Sequence, residues 1–314
     1  MDRQALSSGQ LAAAITKAAS KQTYYTIRLF ADRARAMDAF RAYGYFRWVD
    51  DVLDAEAGPG PGMIAFANRQ KSLLDSCYRG ETPDDLCAEE RMLVDLVRND
   101  TEKNSGLQTY LRNMMEVMLF DAGRRGQVIS QAELSEYSHK LAKAVTEALY
   151  HFIGHDDPSP CHEARYLAVT AAHITHMLRD AVEDAGDGYF NIPREVLALR
   201  GISPQDVTSR AYREWVRERV QLARRYFKRG RQCTAQVKNW RCRLAGFAYA
   251  ARFEWMLRAI ERDNYCLRPE YPERKSLGAA LWMGWLTLTS VLASLWATSQ
   301  PRKFLRQPVR IEKR

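Results

Sequence analysis

Apolar positions along this chain recur at helical spacing almost from end to end, and no stretch alternates polar and apolar residues in the way a half-buried strand requires. The pattern predicts a short amphipathic helix over Leu6 to Ser20. Lys21 to Phe30 (KQTYYTIRLF) follows as an aromatic, basic stretch whose periodicity fixes no local structure. A continuous helix is predicted from Asp32, a suitable N-cap, to Asp54, where the run GPGPG (Gly58 to Gly62) breaks it. Further helices are expected over Met63 to Arg79, Cys87 to Arg98 and Leu107 to Ala122. Ser130 with Glu133 three residues on forms a capping-box signature, opening a helix to Ile153 that the turn HDDPSP closes. His162 to Ala185, Arg194 to Leu199, Arg213 to Tyr226, Arg229 to Arg262 and Leu277 to Ala297 complete an all-α chain. No Gly-, Ser- and Pro-rich linker divides it.

Two of these helices carry acids in an unusual register. In RAYGYFRWVDDVLDAE (Arg41 to Glu56), Tyr43, Phe46, Val49, Val52 and Leu53 are expected to form an apolar stripe, with Asp50 and Asp54 four residues apart on a neighbouring face. Asp51 turns aside. Like charges at that spacing destabilise a bare helix by a few tenths of a kcal/mol, and an adjoining core adds desolvation. A hard divalent cation removes both penalties by taking carboxylate oxygens and completing its shell with water and phosphate. From this stretch alone, a solvated acidic face answering Arg41 and Arg47 is the simpler account. Asp180 and Asp184, in HITHMLRDAVEDAGDGYFNIP, then repeat the spacing on a second helix, with Arg179 ahead of the first acid as Arg47 precedes Asp50. Two such pairs facing each other across a bundle are able to hold Mg²⁺ ions bridged by a diphosphate, so that its loss from an allylic carbon is electrostatically assisted. Aromatic walls would shelter the carbocation.

Charge and cysteine content narrow the class only slightly. Lys and Arg number 47 against 38 Asp and Glu, a formal charge of +9 that points to an anionic partner. The basic residues are scattered apart from clusters at Arg217 to Arg231 and at the C-terminus, and no nucleic-acid module is recognisable. Cys77, Cys87, Cys161, Cys233, Cys242 and Cys266 form no CxxC pair, which reads as buried thiols in a reducing compartment. The N-terminus is a poor signal peptide, and a cytoplasmic protein is expected. The uncharged run LGAALWMGWLTLTSVLASLWA (Leu277 to Ala297), flanked by Arg274, Lys275, Arg302 and Lys303, qualifies either as a bilayer span or as a buried terminal helix, with peripheral membrane contact between the two. Residues 1–276 are therefore expected to form the helical domain, and 277–314 an apolar helix with a basic tail.

YGYFRWVDDVLD (Tyr43 to Asp54) and MLRDAVEDAGDGYFNIP (Met177 to Pro193) resemble the first and second Asp-rich motifs of the squalene and phytoene synthase family of head-to-head prenyl transferases. SKQTYY (Ser20 to Tyr25) is similar to that family's short Lys-Ser-Phe-like signature, and Asp121 falls where the family often has Met-x-x-Asp. The resemblance runs from about Ser20 to about Leu277. It implies a single-domain, all-α prenyl synthase bundle around a central cavity. It also implies dependence on Mg²⁺, or Mn²⁺ in its place, and condensation of two farnesyl or geranylgeranyl diphosphates. On that reading Asp50, Asp51, Asp54, Asp180 and Asp184 carry metal, while Arg47 and Arg179 bind diphosphate with Thr23 and Arg28 assisting. Tyr43 and Lys143 are further candidate substrate contacts. Reliance on NADPH for a reductive step is not written in these residues.

The chain also departs from the family pattern. His173 and His176 stand where Gln-x-x-Asn is usual, His139 and Lys143 replace a tyrosine and a packing glycine, Tyr189 to Pro193 replaces Arg-Ile-Tyr-Leu-Pro, and a late tyrosine is Phe253. Mg²⁺ tolerates nitrogen ligands poorly, so one metal site is expected to be weakened. Lys143 would supply charge there or snorkel outward. His139, His173 and His176 are expected to meet near the diphosphate end, where His139 and His176 would help water quench a cation, unless all three are ordinary bundle histidines. Two other readings remain: a membrane-associated assembly or scaffold protein that keeps the fold without catalysis, and a class I terpene synthase acting on one prenyl diphosphate.

Overall fold

The computed structural model describes residues 6–55, 61–154, 162–275 and 277–298. Its elements are α1 (Ser8–Ala19), α2 (Lys21–Phe30), α3 (Ala36–Ala55), α4 (Pro61–Tyr78), α5 (Glu90–Arg98), α6 (Gly106–Arg124), α7 (Gln131–Phe152), α8 (Leu167–Gly186), α9 (Arg194–Arg200), α10 (Arg210–Thr234), α11 (Trp240–Arg262) and α12 (Leu277–Thr298). Short 3₁₀ turns cover Glu163–Tyr166 and Pro272–Lys275. No strand appears among the described residues; one isolated parallel bridge joins Val128 to Phe190. The all-α expectation holds.

Several boundaries differ from the periodicity, each for a local reason. The stretch from Lys21 is helical because Ser20 caps it, its hydroxyl accepting from the Thr23 amide at 3.1 Å. Asp32 caps nothing. Its carboxylate takes the Gly154 amide at 3.2 Å and the Arg241 guanidinium, while its own N–H donates to the Phe152 carbonyl at 2.8 Å. The helix carrying the first acid pair therefore starts at Ala36. Ser130 and Glu133 do form the expected capping box. The break between α10 and α11 falls at 235–239 rather than at Phe227, because Asn239 caps α11 by accepting from the Arg241 and Cys242 amides. The HDDPSP turn and the basic tail lie outside the described residues, as does most of the GPGPG run. The five described cysteines are free thiols.

Burial falls into two apolar clusters. The first is built on α1, α3 to α7 and the start of α11, the second on α8, α10 and α11. In α3 the buried stripe is Ala42, Tyr45, Phe46, Val49 and Leu53, not one that includes Tyr43. Tyr45 is completely buried and donates to Gln70 Oε1 at 2.9 Å, whereas Tyr43 stays part-exposed on the face of Arg47, Asp50 and Asp54. In α8, Ala171, Ile174, Leu178 and Ala181 enter the second cluster. The register places His173, Met177, Asp180 and Asp184 on another face, from which Met177 joins the first cluster. α8 and α10 approach closely because a Cβ on Gly230 would stand 2.6 Å from the Ala168 amide nitrogen.

α12 is a helix, but no helix of the described residues is long and apolar enough to cross a membrane. Its threonines, serines and glycines dilute the apolar content, which overturns the spanning alternative. α12 packs on α11 instead, with the Arg258 guanidinium 3.5 Å from the Trp282 ring centroid.

Candidate functional site

The acids of α3 and α8 converge on a third ion pair that lies between them. At the end of α6, Arg124 donates through Nε to Asp121 Oδ1 at 2.6 Å and through Nη1 to Asn191 Oδ1 at 3.0 Å, and Asn191 in turn donates to Asp184 Oδ2 at 2.7 Å. Tyr137 on α7 donates to the other oxygen of Asp121 at 3.0 Å. The guanidinium of Arg124 also lies 5.1 Å from the Tyr137 ring centroid and 5.2 Å from that of Tyr189. Asp50 and Asp54 both feel the negative charge of Asp121, while Asp184 feels the positive charge of Arg124. A chain of charge thus runs from one motif to the other.

Backbone contacts hold this arrangement. The Gly126 amide donates to the Gly188 carbonyl at 2.8 Å, Arg125 Nε donates to the Asp187 carbonyl at 2.9 Å, and the Arg194 amide donates to the Ile129 carbonyl at 2.9 Å. Gly188 has φ +86°, a conformation other residues rarely adopt, and it lets the segment after α8 turn back along the one after α6.

The protonation balance of the acids is that of carboxylates short of positive charge. Burial and the neighbouring Asp54 push Asp50 up to about 6, with Arg47 opposing. Burial and Asp180 push Asp184 up to about 7, with Arg124 opposing. Asp54 is raised as well, chiefly by burial. Arg47 reaches Asp50 at 3.1 Å and also pairs with Asp51; Arg179 grips both oxygens of Asp180 at 2.6 and 2.5 Å. Oxygen donors crowded until they hold protons fit a hard divalent cation, which would replace those protons. Among the described residues no three acids, histidines or cysteines are already gathered closely enough to hold an ion, so that fit concerns donor chemistry, not a finished cage.

The other expected residues are dispersed. His176 Nε2 meets Asp180 Oδ2 at 3.1 Å. His173 is buried with its ring 5.2 Å from Tyr137 and neither ring nitrogen partnered. Burial, with His176, Arg124 and Arg219 nearby, drives its pKa down to about 3, so it is neutral. His139 does not join them: it packs edge-on against Tyr166, ahead of α8, at 6.0 Å. Lys143 lies part-buried one turn further along the same face of α7. Thr23 directs its hydroxyl to Ser20 at 2.9 Å, and Arg28 lies exposed along Tyr24. Phe253 is buried beside Tyr249, their centroids 5.1 Å apart. Arg124, Tyr137 and Asn191 were not singled out by the sequence, although Asp121 and Arg124 stand at the i, i+3 spacing of an ion pair.

The squalene/phytoene synthase family model matches residues 16–277. Presqualene diphosphate synthase of Rhodopseudomonas palustris is 26% identical over 186 residues, 59% of this chain and 62% of that protein. The corresponding protein of Sinorhizobium fredii is 27% identical over 53% of this chain and 56% of its own length, so the chain spans less than two thirds of either relative. 15-cis-Phytoene synthase of Synechococcus elongatus is 26% identical over 78% of this chain and 81% of that protein. Among solved structures, squalene synthase HpnC from Alicyclobacillus acidocaldarius superposes with a TM-score of 0.65 at 18% identity, covering 83% of this chain and 95% of the other. A dehydrosqualene synthase in complex with ligand gives 0.68 at 16% identity, covering 92% and 97%. At those identities the structures establish the fold.

Proposed function

The chain belongs to the squalene/phytoene synthase family of head-to-head prenyl transferases, and from that premise we propose that it condenses two prenyl diphosphates, farnesyl or geranylgeranyl, with release of pyrophosphate. The observation that carries the reading is the convergence of both acid pairs on Asp121 and Arg124. Asp50, Asp54, Asp180 and Asp184, with Asp51 beside them, would hold Mg²⁺, which when bound neutralises diphosphate charge and stabilises the departing pyrophosphate. Arg47 and Arg179 exchange a carboxylate for a phosphate oxygen as the ligand arrives. Arg124 keeps Asp184 and Asn191 in place and presents a cation between the two motifs. Tyr43 offers an aromatic face to the allylic cation beside that centre, while the rings of Tyr137 and Tyr189 lie against the Arg124 guanidinium.

Residues 1–276 would form the catalytic domain, with α12 as an appendage. Leu281, Trp285 and Leu288 are exposed at i, i+4 and i+7, an apolar ridge suited to a membrane surface that takes up a long hydrocarbon product.

The test is incubation of purified protein with Mg²⁺ and farnesyl or geranylgeranyl diphosphate, measuring pyrophosphate and analysing the lipid extract. A coupled product containing two prenyl chains is expected. Asp180→Ala should abolish turnover with helical content intact. A product built from a single prenyl unit, or no release from either substrate, refutes the reading.

A further inference from the structure

Most of the large apolar side chains exposed among the described residues fall into two groups. Leu281, Trp285 and Leu288 form the α12 ridge, and Tyr25, Leu29 and Trp240, exposed to 54%, 70% and 63%, lie where α2 meets the start of α11. Arg241 clamps that junction. Its Nη1 donates to the Phe30 and Ala31 carbonyls at 3.1 and 3.5 Å, and its Nη2 to the Asp32 carboxylate, so Leu29 and Trp240 adjoin the two ends of the clamp. None of the residues of α2 is fully buried. Tyr24, Ile27 and Phe30 press part-buried against the first cluster, while Lys21, Tyr25, Arg28 and Leu29 are exposed at positions that share the opposite side. Cations surround these apolar groups. Between Arg3 and Met37 the one acid, Asp32, is already answered by Arg241, and Lys21, Arg28 and Arg33 are exposed. Residues 219–253, which lead from α10 into α11, contain no Asp or Glu, and Lys238 is exposed two residues before Trp240.

We propose that this α2–α11 corner is a docking face for a bilayer rich in anionic phospholipid, separate from the α12 ridge. Tyr25, Leu29 and Trp240 enter the headgroup region, and Lys21, Arg33 and Lys238 pair with lipid phosphates. Rings and a leucine set among cations fit a boundary with an anionic skin and an apolar interior; a polyanion without that interior gives Leu29 nothing to enter. About five full turns of α11 separate Trp240 from Arg258, on which Trp282 of α12 rests, so both apolar groups are carried on one side of that helix. Neither the charge nor the exposed rings depend on the reaction proposed above.

The experiment is co-sedimentation of the full chain with vesicles of phosphatidylcholine alone and of phosphatidylcholine with phosphatidylglycerol, at about 0.15 M salt so that distant charges are screened. Binding should require the anionic lipid. Leu29→Ser with Trp240→Ser, α12 left intact, should weaken it several-fold, and Lys238→Glu by about fivefold or more. Arg210→Glu makes the same charge change at the far, exposed end of α10 and should leave binding nearly unchanged. Circular dichroism guards each variant against misfolding. An equal fall in Arg210→Glu makes net charge the cause and overturns the docking face. So does vesicle binding that survives loss of Leu29 and Trp240, or that duplex DNA of matched phosphate content abolishes, since a surface for any polyanion needs no apolar contact. Equal binding to both vesicles, or to neither, overturns it too and leaves the reading of the acid pairs untouched.

Discussion

Asp184 and Asp50 hold their protons to about 7 and 6, well above an ordinary aspartate, and this has a direct thermodynamic consequence. An acid whose folded-state pKa is raised favours the fold while protonated. That contribution is complete below the unfolded value near 4 and is lost as pH rises through 6 to 7. The melting temperature in EDTA should therefore fall between pH 5 and pH 8. Asp184→Asn should flatten the slope, and Mg²⁺ should raise the midpoint at pH 8 far more than at pH 5. Scanning fluorimetry reads all three, and equal slopes in wild type and variant would show that Asp184 is not the group responsible. At this scale the sequence yielded the acid pairs, because i, i+4 spacing is visible in letters. Arg124 escaped notice, since only the folded chain shows its guanidinium buried between Asp121 and Asn191. Asn191 was equally hidden, its partner Arg124 being 67 residues away.

Helices were the most legible level, since period and caps are local. The misplaced boundaries trace to contacts that period does not encode: Asp32 serves Gly154 and Arg241 instead of a helix start, and Asn239 opens α11. Packing distances between helices were not legible at all. Gly230 shows why they matter, as a methyl there would lie 2.6 to 2.8 Å from Ala168 backbone and side-chain atoms. Gly230→Ala gains about 1 kcal/mol of helix propensity but forces α8 from α10, so a net loss of about 1–3 kcal/mol is expected. Gly123→Ala, on a helical position with no atom within 4 Å of the added carbon, should instead stabilise by about 0.5–1 kcal/mol. Urea midpoints compare the two; stabilisation by Gly230→Ala would mean that the helices have slack.

For the whole molecule, the family motifs conveyed the bundle, while the role of the C-terminal helix was ambiguous in letters because moderate hydropathy serves a span and a packed helix alike. Its contact with α11 and its exposed ridge resolve the geometry. If that ridge meets lipid, Leu281→Ser with Trp285→Ser should reduce co-sedimentation with anionic vesicles several-fold without changing circular dichroism. Undiminished sedimentation would assign lipid contact to basic residues elsewhere.

The parallel bridge between Val128 and Phe190, with the Gly126 to Gly188 hydrogen bond beside it, is made entirely of main chain. Main-chain splints are indifferent to the letters they connect. Tyr189 to Pro193 departs from the family's usual wording at just this clasp, where backbone atoms keep the two segments fastened under any substitution while the Asn191 side chain ties them to Arg124 and Asp184.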